Sequence, residues 1–369
     1  MKVSIVRCES YEQEKVDRAV KEALDLIDFK FKKGIKVLLK PNVLYAATPE
    51  KAVTTHPSIL IALCKLLKDC KIYIGDSPGF ANRDKAFKVS GMLDVVKDCK
   101  SNFVNFNTTK LMIFKNGKNV FLKEVYLPKL IKEVDLIINL PKLKTHGLMK
   151  YTGAIKNLYG FIPGGKKAYY HLMADSEEKF GQLLVELYQY VKPELTIMDA
   201  VVGMEGFGPS AGQPKQTGLI IASKNCLSLD IVASEIIGFK PEYILTSKIA
   251  IEKGLYKSVE KVGLKDVHVE YKKARPLERK LPNFIKKWIY KNRVRIDNKK
   301  CEKCYVCYAH CPPKAIKKGE NLIVDNKKCI QCFCCHELCP HNAIKIDSFL
   351  LNILEKIRFL AQKMNIRFF

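Results

Sequence analysis

The sequence predicts an α/β domain built on a largely parallel sheet, followed by a small cysteine-rich α+β module. Three observations predict it. Short apolar runs alternate with stretches of helical periodicity through roughly the first 270 residues. Eight of the fourteen cysteines fall in two runs of identical spacing. The segments carrying those runs copy one another at an offset of 28 residues.

Val3–Arg7 reads as a first short strand, and Glu12–Ile27 as a helix with Val16, Val20, Ala23, Leu24 and Ile27 on one face. Ile35–Leu39 is a second strand. Pro57–Leu67 is a helix opened by proline, whose missing N–H costs nothing in the first turn. Lys71–Gly75 is a third strand, running into Gly75-Asp76-Ser77-Pro78-Gly79. Lys110–Leu127 reads as a hairpin turning at Asn116-Gly117. Asp135–Asn139 is a buried strand, Lys179–Val191 a helix, Leu195–Met198 and Leu219–Ala222 strands, and Leu229–Ile237 a helix. The predicted division is an α/β domain over 1–271, a basic connector over 272–296, the cysteine module over 297–347 and an amphipathic helix over 348–369. That last stretch carries Leu350, Ile353, Ile357, Leu360 and Met364 at helical spacing among basic residues, and fits a docked helix or an interfacial one.

The chain is strongly basic, with a formal net charge of +26, of which +15 falls in residues 272–369. Such a balance favours acidic partner proteins. Nucleic acid is not expected, because the lysines and arginines lack interleaved stacking aromatics and a binding-fold signature. No run of 18 apolar residues is present, so no transmembrane segment is expected. The opening residues turn polar too soon for a secretory signal, and a cytoplasmic location is expected. In that setting fourteen cysteines point to metal ligation rather than disulfides.

The two runs are Cys301-x2-Cys304-x2-Cys307-x3-Cys311-Pro312 and Cys329-x2-Cys332-x2-Cys335-x3-Cys339-Pro340. Three thiolates two residues apart wrap a tight loop around one iron–sulfur cube, while the fourth lies beyond the loop. Zinc sites use pairs of Cys pairs instead. The module therefore resembles two-cluster bacterial-type ferredoxins. The resemblance implies two [4Fe–4S] clusters, one on Cys301, Cys304, Cys307 and Cys339, the other on Cys329, Cys332, Cys335 and Cys311. Cys334 stands outside this pattern and reads as a packed thiol, with ligand exchange as the alternative.

Within the α/β domain, polar runs follow the apolar ones: Lys40-Pro41-Asn42, Thr54-Thr55-His56-Pro57, Gly75–Gly79, Lys142–His146, Thr152–Asn157 and Met204–Pro209. Lys40, Asn42, His56, Asp76, Lys144, His146 and Lys156 are the candidates for holding a small anion or a cofactor. Asp76 and Asp199 also suit turns and caps. Neither a Walker loop nor a dinucleotide fingerprint is present. The order of these motifs over residues 1–270 resembles the domain of unknown function 362 family, whose members often end in a two-cluster module. That resemblance implies membership and no particular reaction. The segment from Lys144 to Lys156 is faintly similar to the nickel-pincer lactate racemases, with neither cofactor nor activity implied. Two functions are expected from these features. One is a ferredoxin-type iron–sulfur oxidoreductase whose α/β domain binds a small anionic ligand. The other is an electron-transfer adaptor whose α/β domain docks a partner enzyme.

Overall fold

A computed structural model of the chain describes residues 1–79, 83–256, 258–274, 293–330, 332–341 and 343–347. The chain forms two compact units, Met1–Ala274 and Arg275–Phe369. Most of the predicted basic connector and the whole predicted C-terminal helix lie outside the described residues.

The first unit runs β1 (Lys2–Arg7), α1 (Gln13–Leu26), β2 (Lys36–Pro41), α2 (Pro57–Leu66), β3 (Lys71–Asp76), α3 (Arg83–Val89), α4 (Met92–Asp98) and β4 (Asn102–Asn105). A hairpin of β5 (Leu111–Lys115) and β6 (Glu124–Pro128) follows, then β7 (Leu136–Leu140), β8 (Lys142–His146), β9 (Lys150–Thr152) and α5 (Ala154–Asn157). Next come α6 (Gly164–Met173), α7 (Glu177–Val191), β10 (Leu195–Glu205), β11 (Gln213–Ser223), α8 (Cys226–Ile236), α9 (Leu245–Glu252) and β12 (Glu260–Gly263).

Ten strands form the main sheet, in the order β12-β1-β11-β10-β7-β2-β3-β4, with β8 and β9 attached beside β10. The pairings from β10 through β7, β2 and β3 to β4 are parallel, while β11 runs antiparallel to both β1 and β10. The sheet is thus mostly parallel, as the alternation of strand and helix predicts. Strands β10 and β11 run well beyond the predicted Leu195–Met198 and Leu219–Ala222, and pair along a long antiparallel ladder.

Periodicity shows how the layers close. Val16, Val20, Ala23 and Leu24 of α1 and Ile59, Leu60 and Leu63 of α2 join Val37, Leu39, Ile138 and Ile197 in one core. Each such side chain contributes roughly 1.5–3 kcal/mol on burial. The alternate strand residues face α5 and α8, where Cys226 at the start of α8 touches Asn139 and Thr196. Local caps set the helix starts. Ser176 Oγ accepts the Lys179 N–H and Asn225 Oδ1 accepts the Ser228 N–H.

The β5–β6 hairpin is present, but its loop is wider than a turn at Asn116-Gly117. Asn116 N–H closes onto Lys123 O. The buried carboxylate of Glu186, on α7, accepts the N–H groups of Val120, Phe121 and Leu122, and so holds the loop open.

In the second unit the strands pair across the two cysteine runs. Strand β13 (Arg293–Ile296) pairs with β16 (Ile344–Asp347), and β14 (Ile316–Lys317) with β15 (Ile323–Val324). The short helices α10 (Val306–Ala309) and α11 (Cys334–Leu338) occupy matching places. Asp297 donates its N–H to Ala343 O, and Asp325 donates to Ala315 O, each at 2.7 Å. Each half thus closes its sheet on the other.

Candidate functional site

Strands β3 and β4 extend the sheet on one side of β2, whereas β7 and β10 follow on the other. Open α/β sheets leave a crevice at such a reversal, beyond the carboxyl ends of the strands. Here α5 fills it. Asn157 Nδ2 donates to Asn139 Oδ1 at 2.8 Å and to Lys40 O at 3.3 Å. Lys40 Nζ donates back to Asn157 Oδ1 at 3.3 Å.

Lys40 is fully buried and pairs with Asp76 at 2.9 Å. Asp76 also accepts the N–H groups of Val43 and Ser77, both at 2.7 Å. Burial holds the Lys40 ammonium below its ordinary range, and Asp76 opposes that fall. The pair lies so close to Gly160 that a Cβ there would strike Asp76 Oδ1 and Lys40 Nζ.

A second buried pair stands two strands away. Lys142 Nζ meets Asp199 Oδ2 at 2.8 Å with neither side chain exposed. Tyr11 donates its hydroxyl to Asp199 Oδ1 at 2.8 Å and accepts from Lys142 Nζ at 2.6 Å. The backbone N–H groups of His56, at 2.8 Å, and Val201, at 3.4 Å, donate to the same carboxylate. The Tyr11 and His56 rings stack with centroids 3.6 Å apart. His56 also caps α2, its Nδ1 accepting the Ser58 N–H. Burial first, then the Lys142 ammonium, bring the imidazole down to about 4, against the pull of Asp199.

The seven candidate residues thus divide. Lys40, Asp76, Lys144 and His146 are buried. Lys144 Nζ donates to the carbonyls of Val53 and Pro209. His146 Nδ1 accepts the N–H groups of Leu148 and Met149, which fixes the β8–β9 turn. Asn42, His56 and Lys156 keep partial exposure. Asn42 exchanges backbone bonds with Thr55, through Thr55 Oγ1 at 2.8 Å and Asn42 O at 3.0 Å. The structure brings Lys40 and Asp76 together directly and adds Lys142, Asp199 and Tyr11, which were not among the seven. The signal for Lys142 lies in β8 itself, where a period of two puts 142, 144 and 146 on one side.

In the second unit, burial, then the thiolates of Cys339, Cys304 and Cys301, push the Cys307 thiol up to about 11. Burial likewise raises Cys335, reinforced by Cys332, Cys329, Cys307 and Cys311. Burial raises Cys311, with Cys332 acting in the same direction. Crowded thiolates of this kind call for a positive core between them, which an iron–sulfur cube supplies. Cys311 Sγ accepts the Ala315 N–H at 3.2 Å and Cys339 Sγ the Ala343 N–H at 3.3 Å, so the last cysteines of the two runs are held alike. Among the described residues, no group of three or more His, Cys, Asp or Glu is disposed to hold a single metal ion. A cube differs in asking each thiolate to reach its own iron. Cys334 is buried at the place that Val306 fills in the first half. Among the described residues no helix is long and apolar enough to cross a membrane.

Comparison with known proteins gives matches in both units. A 4Fe-4S dicluster domain matches residues 293–340, so the second unit binds 4Fe–4S chemistry and serves a redox or electron-transfer role. The thylakoid-associated protein sll1697 of Synechocystis sp. (strain ATCC 27184 / PCC 6803 / Kazusa) is 32% identical over 251 residues, covering 66% of this chain and 77% of that protein. The lactate racemase apoprotein of Thermoanaerobacterium thermosaccharolyticum is similar in structure at a TM-score of 0.41 and 13% identity. The match covers 64% of this chain and 56% of the length of the racemase. A domain of unknown function (DUF362) matches residues 37–235, more than half of the sequence, and the chain belongs to that family.

Proposed function

We propose that the protein is an iron–sulfur oxidoreductase in which Cys301, Cys304, Cys307 and Cys339 hold one [4Fe–4S] cluster and Cys329, Cys332, Cys335 and Cys311 the other. The two cysteine runs of identical spacing, within residues that a 4Fe-4S dicluster domain matches, carry this reading. Each cluster, when bound, takes up and gives back one electron. The chain's part is to supply eight thiolates, shield them by burial and hold Cys311 and Cys339 by backbone N–H donors. Such donors to sulfur favour the reduced, more negative state.

In the first unit, the partly exposed His56, Asn42 and Lys156 are the groups offered to a small anionic ligand. Of the buried pairs behind them, Asp199 holds the His56 N–H and Asp76 that of Val43, next to Asn42. A neutral His56 donates a hydrogen bond through Nε2, since Nδ1 is already an acceptor. Lys156 supplies the charge. The test is anaerobic purification with metal analysis, low-temperature EPR after reduction, and mass spectrometry of what a denatured sample releases. About eight irons per chain and a released small anion, lost in Lys156→Ala, are expected. Far less iron, or zinc in its place, rejects the cluster assignment.

One observation favours the second reading, a docking adaptor. Lys40 and Lys142 are already neutralised by Asp76 and Asp199, so their charge is not available to a ligand. Full iron content with no small molecule released, together with salt-sensitive co-purification of an acidic redox protein, selects that reading.

A further inference from the structure

Exposed large apolar side chains are unevenly spread over this chain. Seven of the fifteen among the described residues fall between Leu111 and Met173. On the hairpin, Leu111 and Ile113 point outward from β5, and Tyr126, directly opposite Ile113, points outward from β6. On α6, Tyr169, Leu172 and Met173 are exposed, with Tyr169 57% accessible. The two elements adjoin, since Lys166 of α6 places its Nζ 3.8 Å from the centre of the Tyr126 ring. Exposed apolar side chains gathered on two adjoining elements mark an interaction site more than the usual scatter of single apolar residues does.

The charge around it names the occupant. Residues 110–133 hold six lysines and two acidic residues, Glu124 and Glu133, which pair with Lys115 and Lys129 at 2.9 Å each, while Asp175, just after α6, pairs with Lys179 at 2.7 Å. Lys110, Lys118 and Lys123 are exposed. Apolar residues that end in tyrosine and are rimmed by lysine match the boundary of an anionic bilayer. There aliphatic side chains enter the acyl region, tyrosines sit among the headgroups, and lysines meet lipid phosphates. An acidic protein would satisfy the lysines but leave Ile113, Leu172 and Met173 without an apolar counterpart. A second copy of this chain would bring like charge against like charge.

We propose that the β5–β6 hairpin and α6 form a peripheral docking face for an anionic lipid surface. The proposal is independent of the redox assignment, which concerns the other unit.

The test is co-sedimentation of the full-length holoprotein with vesicles. One set is phosphatidylcholine alone, and the other contains phosphatidylglycerol in addition. Two variants alter the face, Ile113→Asp with Leu172→Asp, and Lys110→Glu with Lys118→Glu and Lys123→Glu. Ile323→Asp, an exposed apolar position in the other unit, is the control. Wild type and control are expected to bind the anionic vesicles alone, less as salt rises. Each face variant should bind at least about tenfold more weakly, since every lysine at an anionic surface counts for several-fold in affinity. Unchanged iron content and circular dichroism identify variants that have kept their fold. The proposal is overturned if wild type ignores anionic vesicles, or if both face variants bind as wild type does. It is also overturned if the face holds a dimer in solution that Ile113→Asp dissociates.

Discussion

Lys142 and Asp199 meet without any exposure to water, and each would be costly alone. Breaking such a pair by removing one partner typically costs about 3–5 kcal/mol, whereas replacing both can be nearly neutral. Lys142→Met is therefore expected to lower unfolding stability by about 3 kcal/mol or more, and Lys142→Met with Asp199→Asn to recover much of the loss. Denaturant titration followed by circular dichroism reads both. Equal losses in the single and double variants would show that the pair is not the cause. His56 gives a second residue-scale prediction. Its folded pKa of about 4 lies below its ordinary 6.5. Between those values the unfolded chain binds more protons, so the contribution of His56 to stability rises with pH across the window and is lost as pH falls toward 4. In histidine-labelled protein, the NMR shift of this ring should stay that of a neutral imidazole down to pH 5. A midpoint near 6.5 would contradict the stacked, buried placement. The importance of His56 was legible because it ends a polar run before a helix-starting proline. Its partner Tyr11 was not, because 45 residues of sequence separate two rings that stack at 3.6 Å.

At the scale of elements, apolar periodicity was enough to locate most of the main-sheet strands, because burial on both faces writes itself as continuous Val, Ile and Leu. Strand direction was less legible. Nothing in the apolar run of β11 says that it turns back along β10, since that depends on the bend after Glu205 rather than on the strand. The Asn116-Gly117 pair misleads for a similar reason. The loop width is decided by Glu186, which lies on α7 and three N–H bonds away from any local signal. Gly160 shows how one element constrains another. It follows α5 and touches the pair formed by β2 and β3, so Gly160→Ala forces a methyl group between Lys40 and Asp76. Overpacking and a disturbed buried ion pair together should cost about 3 kcal/mol or more. Thermal unfolding of this variant beside Gly117→Ala, where a Cβ meets open space, gives the comparison. Equal midpoints for the two would remove the tight packing assigned to Gly160.

For the whole molecule, the decisive question is whether the two halves of the cysteine module are interleaved or self-contained. In the sequence, spacing alone sets the eight thiols apart, and the two runs copy one another at an offset of 28 residues. The proposed crossing depends on three-dimensional pairing, and the strands pair that way, β13 with β16 and β14 with β15. Iron counts in double variants can separate the two arrangements. If the sets cross as proposed, Cys304 and Cys339 serve one cluster, and Cys304→Ala with Cys339→Ala should lose about as much iron as either alone, roughly half the total. Cys304→Ala with Cys311→Ala strikes both clusters and should leave little iron. Self-contained halves invert the result, because Cys304 and Cys311 would then share a cluster while Cys304 and Cys339 would not. The strand pairing favours the crossed outcome, since each half closes its sheet on the other. Metal analysis of anaerobically prepared protein, with EPR of the cluster that survives, measures this directly, and substantial iron in the Cys304–Cys311 double variant would refute the crossing.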